Sequence, residues 1–138
     1  MIRAWRFFGF SILLGSTGCR EPATLSEDAC GPETAVAASA ALSPAFTWVP
    51  DCAVGSVSVT TDAGDPMWSI RSDPEADLTP ANRIRSGVIY GVIPQQAQQF
   101  GELVPLAADQ AYRVFLRVVD SRGDNTLVGT GTFEVPAE

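Results

Sequence analysis

The sequence predicts an all-β fold: one antiparallel β-sandwich over residues 35–138, preceded by a signal peptide (1–18) and a flexible tether (19–34). Three observations carry this reading. From Ala35 onward, short apolar stretches alternate with turn clusters at the spacing of a sandwich. No segment sustains a helical period, because twelve glycines and ten prolines interrupt the chain. Finally, Tyr112 to Asp120 alternates strictly, with Tyr112, Val114, Leu116 and Val118 on one face and Arg113, Phe115, Arg117 and Val119 on the other. At 138 residues the chain holds one core, since a domain commonly takes about 100 to 150 residues.

The first element is the export signal. Met1 to Arg6 is basic, Phe7 to Gly15 is apolar, and Ser16-Thr17-Gly18 supplies small residues before Cys19. The apolar run is too short to span a bilayer, which takes about 20 residues. Arg20 to Glu33 follows as an acidic stretch broken by Pro22 and Gly31-Pro32, and reads as a tether.

Strand candidates then succeed one another. Ala35 to Leu42 has helix-friendly composition and stays ambiguous between helix and strand. Phe46 and Trp48 alternate with Thr47 and Val49, and Val57 and Val59 with Ser56, Ser58 and Thr60. Trp68 alternates with Met67 and Ser69 before Ile70, and Val88, Tyr90 and Val92 form a further candidate. Periodicity turns Phe46, Trp48, Trp68 and Ile70 inward. After the strand at Tyr112, the turn Ser121-Arg-Gly-Asp-Asn125 leads into a second strand, Thr126 to Val135, and the two make a hairpin.

Ser-Thr-Gly-Cys19 resembles the lipobox of bacterial lipoproteins, in which the cysteine takes lipid on its sulfur and becomes the N-terminus. The family prefers Leu where this chain has Ser16, with Leu14 two residues upstream. An ordinary signal peptidase would cut the same bond and leave a free thiol. The resemblance implies lipidation at Cys19, and Arg20, in place of the Asp of inner-membrane retention, implies the outer membrane. With Cys19 lipidated, Cys30 and Cys52 remain as a pair in an oxidising compartment, where they are expected to form a disulfide.

Residues 35 to 136 resemble a fibronectin type III domain, an immunoglobulin-like sandwich. The matching pieces are Trp48-Val-Pro-Asp51, Leu106-Ala-Ala-Asp-Gln-Ala-Tyr112, Val114 to Val118, Gly123 and Phe133 to Val135. The Leu106-to-Tyr112 spacing is that of the family's tyrosine corner, in which the hydroxyl bonds back to the preceding turn. Ala-Asp-Gln stands where the family has Pro-Gly-Thr, and Ser72 to Ser86 is longer than the usual connection. Tyr90-Gly-Val-Ile-Pro94 is also similar to a segment of environmental bacterial lipoproteins, a likeness that brings no activity with it.

Composition narrows function by exclusion. Sixteen acidic residues against nine basic ones, all arginine, give a net charge of -7, a field that repels nucleic acid. With no histidine and the cysteines otherwise engaged, no Ser-His-Asp or Cys-His arrangement can be built, and no catalytic residue or cofactor is expected. Asp73, Glu75 and Asp77 share a loop, but an exposed loop does not drive carboxylate pKa values apart for acid-base work. The same loop lacks the central glycine and distal glutamate of a calcium loop, with Ile84 where that glutamate would fall, so no metal is expected.

Arg113, Phe115 and Arg117 are candidate partner contacts on the outward face. Arg122-Gly123-Asp124 matches the position and letters of the family's integrin-binding tripeptide. Read from the residues alone, it is a solvated turn with Gly123 at positive φ. The expected function is therefore that of a non-catalytic envelope lipoprotein, attached to the membrane through Cys19, whose sandwich binds an envelope protein or glycan or plays a structural part. A carbohydrate-binding module is the alternative, and a carboxylate-dependent enzyme the third reading.

Overall fold

The computed structural model describes residues 28–73, 81–120 and 122–137. The signal segment, Cys19, Glu75, Asp77 and Ser121 lie outside the described residues. Among the described residues eight strands form: β1 (Ala35–Ala38), β2 (Ala45–Val49), β3 (Ser56–Thr61), β4 (Pro66–Ser72), β5 (Val88–Ile89), β6 (Ala97–Gln99), β7 (Ala111–Val119) and β8 (Asn125–Glu134). They assemble into a three-stranded sheet, β1-β2-β5, and a five-stranded sheet, β6-β4-β3-β7-β8, in which every strand pairing is antiparallel. The fold is an all-β sandwich.

Alternation decides which side chains meet between the sheets. Phe46, Trp48 and Val88 from the smaller sheet share one core with Val57, Val59, Trp68, Ile70, Val114, Leu116 and Val118 from the larger. Phe133 joins the two layers, edge-on to Phe46 at 5.4 Å and stacked on Tyr112 at 5.6 Å. The inward set expected for β7 is buried throughout.

β1 and β8 show how composition follows packing. Glycine inside a strand normally weakens it, yet β8 carries Gly129 and Gly131. A Cβ at Gly129 would lie 2.9 Å from Val36 Cγ2 and 3.0 Å from the Thr34 carbonyl. The missing side chains let β1 cross close over β8.

One open reading is settled and two local expectations are corrected. Ala35 to Leu42, ambiguous from composition, begins as strand, because Ala35 to Ala38 find ladder partners in Phe46 to Val49. The candidate strand through Val92 stops at Ile89, where Gly91 at φ +80° turns the chain and leaves Val92 exposed. Met67, outward by alternation, is buried, because the β3–β4 register shifts between Val59 and Thr60 and the Val104 amide docks on the Met67 carbonyl.

Before β1, the chain is tied to the sandwich from Asp28 on. Cys30 and Cys52 form a disulfide with Cα atoms 5.0 Å apart. The Cys30 amide bonds the Ala53 carbonyl at 2.9 Å, the Ala53 amide bonds the Asp28 carbonyl at 2.8 Å, and Arg85 reaches the Asp28 carboxylate at 2.9 Å. The pinned residues are the last seven of the stretch 19–34 expected as tether.

Candidate binding surface

Three hydroxyl or indole groups fix the loops around the sandwich. The Tyr112 hydroxyl accepts the Ala107 amide at 2.8 Å, while Leu106 is buried beneath it. Asp109 stands in this turn at φ +59°, a left-handed conformation that aspartate tolerates better than most residues. The Trp48 indole donates to the Cys52 carbonyl at 2.9 Å. The Tyr90 hydroxyl sits against the carbonyls of Met67, at 3.2 Å, and Val104. Burial raises the Tyr90 pKa to about 12, and the neighbouring Tyr112 phenol adds to the rise.

Sequence reasoning missed Asn82 and Ile84. Asn82 is 2% exposed, and its side-chain amide imitates a strand by donating to the Val119 carbonyl at 3.0 Å and accepting the Val119 amide at 2.7 Å. Ile84 is buried in the core and exchanges both backbone hydrogen bonds with Val54. A residue that stood at a would-be cation position is therefore a core residue. Asp73 is engaged by the Gln98 amide at 3.1 Å.

Trp48 and Trp68 are 4% and 2% exposed, so neither offers a ring to a sugar. The aromatic surface lies instead on the outer face of the five-stranded sheet. There the ladder sets Ser56 between Arg71 and Arg117, Ser58 between Ser69 and Phe115, and Thr60 opposite Arg113. The Arg117 guanidinium lies 5.3 Å from the centre of the Phe115 ring, and the Arg71 guanidinium lies 4.4 Å from that of Phe100. Guanidinium groups on aromatic faces gain cation–π attraction and are held in place.

The predicted contact residues of β7 all lie on this face, with Phe115 half-covered beside Arg117. Arg113 lies at the other end of β7 and is ion-paired with Asp62 at 3.0 Å, an exposed pair worth little to stability. Arg71 and Phe100 are not legible in the sequence, because only sheet order brings them onto the same face as Phe115.

In comparisons with known proteins, no family model, curated sequence or solved structure matches this chain. The surface is therefore read from its own chemistry.

Arg122, Gly123 and Asp124 form the β7–β8 turn at the Arg117 end of the sheet, and Gly123 has φ +82°. Asp120, at the base, organises it. Its Oδ1 accepts the amides of Arg122 at 2.8 Å and Asp124 at 3.0 Å, and its own amide bonds the Asp124 carbonyl at 2.9 Å. Those backbone donors hold the Asp120 pKa below the ordinary carboxylate value.

Proposed function

We propose that this chain is a non-catalytic lipoprotein of the cell envelope, anchored in the bacterial outer membrane through lipid on Cys19, whose fibronectin type III-like sandwich is a binding or structural module. The Cys30–Cys52 disulfide carries the reading. Such bonds persist in oxidising compartments, which a bacterial chain reaches by export. Once those two cysteines are joined, Cys19 is the remaining one of three, at the end of a secretory apolar run. The Tyr112-to-Ala107 bond supports the fibronectin-like part, because it is the contact that the tyrosine corner requires.

Metabolic labelling with palmitate and fractionation test the anchor. The wild-type chain is expected in the outer-membrane fraction with label, and Cys19→Ala is expected without label and off the membrane. An unlabelled mature wild-type protein would refute lipidation. Crosslinking in intact envelopes tests the module: reproducible capture of one glycan or protein supports a binding role, and its absence with normal envelope mechanics after deletion refutes both roles.

A further inference from the structure

We infer that the outer face of the five-stranded sheet binds a glycan carrying carboxylate groups, a polyuronate, with Arg71 and Arg117 as the carboxylate-binding pair. This rests on the binding-module reading and names its ligand class.

Charge is the first reason. The chain carries a net charge of -7, yet two cations stand together on one face. Both pair with Ser56 across the ladder, Arg71 from β4 and Arg117 from β7, so they lie two strand spacings apart, about 10 Å. Arg85 and Arg113 are each neutralised by a carboxylate, Asp28 and Asp62. Arg71 and Arg117 have no carboxylate partner among the described residues and rest on rings instead. A guanidinium fork held over a ring keeps its donors for an incoming carboxylate, which it can bind with two parallel hydrogen bonds.

The surroundings select a sugar polymer. Ser58 and Ser69, 3.3 Å apart, lie in the next ladder row, and Thr130 and Thr132 continue the hydroxyl field on β8. Phe100 is 40% exposed and borders a groove of about 320 Å³ with Pro66, Met67, Ser69, Glu102 and Val104, where its ring offers a seat for the face of a pyranose. An acidic peptide could add as a strand only at an open sheet edge. Here β3, β4 and β7 are paired on both sides, which closes the edge route at the arginines.

Affinity electrophoresis of the full-length chain in a neutral detergent, through gels containing polygalacturonate, provides the test. Retardation is expected to weaken with salt and to disappear in fully methyl-esterified polymer. The double variant Arg71→Ala/Arg117→Ala should weaken binding about tenfold or more, since each loses a charge-assisted contact. Arg83→Ala/Arg85→Ala, which removes two positive charges elsewhere, should bind as wild type. Melting curves of all variants exclude unfolding, and Arg71→Lys/Arg117→Lys, which keeps charge without the fork, should fall between. No retardation, equal retardation by polyglutamate, or an unaffected double variant overturns the inference. Binding of a neutral glycan or an envelope protein without polygalacturonate overturns it too, while leaving the binding-module reading standing.

Discussion

Replacing Asn82 by alanine should cost this domain more than any substitution on its outer faces. The side chain is 2% exposed and makes two hydrogen bonds to Val119, one through each end of its amide. Each contributes about 1 kcal/mol, and a backbone group left unsatisfied costs about 1–3 kcal/mol. Val119 is only half-buried, so water recovers part of the loss. About 2–4 kcal/mol remains, which for a domain near 100 residues lowers the melting temperature by on the order of 10–20 °C. Gly55 supplies an independent check. A Cβ there would lie 2.8 Å from Asn82 Oδ1 and 3.1 Å from Val119 Cγ2, so Gly55→Ala should also destabilise. In the Asn82→Ala background its cost should fall, because one of the clashing atoms is gone. Urea unfolding of both single variants and the double variant measures the coupling. If Asn82→Ala unfolds within about 1 kcal/mol of wild type, or the two costs simply add, the strand-mimic reasoning is wrong.

Removing the disulfide by Cys30→Ser/Cys52→Ser should cost about 3 kcal/mol from the loop over a separation of 22 residues, measured by urea unfolding. Gly129→Ala should cost about 1–3 kcal/mol by overpacking against Val36 and the Thr34 backbone, and a wild-type melting curve would show that β1 does not sit as described. Tyr112→Phe should cost about 1–2 kcal/mol and Tyr112→Ala about 3 or more, whereas Asp109→Gly, which relieves a left-handed non-glycine residue, should be neutral or stabilising by up to about 1. Tyr90 has a folded pKa raised to about 12 from an ordinary value of 10.0, so its contribution is full below pH 10 and is lost as pH rises toward 12. Ultraviolet titration should show a late tyrosine step, and its loss in Tyr90→Phe identifies the residue.

What was legible in the sequence was what period two controls. The inward faces of β2, β3 and β7 follow from alternation alone, and Trp48 and Trp68 were placed correctly because strand geometry leaves a residue only two directions. The disulfide followed from counting cysteines. Asn82 and Ile84 were not legible, since each makes its contact singly, from a turn-rich stretch in which no period exists to read. Ala35 to Ala38 became a strand through pairing that local composition does not encode. The Arg71 and Phe100 side of the outer face depends on which strands are neighbours, and strand order is a property of the assembled sheet.

The same division explains why binding and stability should separate in this molecule. Its specificity of fold resides in groups with fixed partners: Asn82 on Val119, Tyr112 on Ala107, Tyr90 on Met67 and Val104, Trp48 on Cys52. Each partner is a backbone group, so each contact fixes the path of a loop and tolerates no change of length or chemistry. On the outer face, Arg71 and Arg117 touch rings, and their other donors meet no partner among the described residues. Cation–π contacts at exposed sites are worth about 0.5–1 kcal/mol, so alanine at either position should leave the domain near its wild-type stability. A pair of arginines that contributes so little to folding leaves its donors to an anionic ligand. Should Arg71→Ala or Arg117→Ala instead unfold the domain as readily as Asn82→Ala, the outer face is structural.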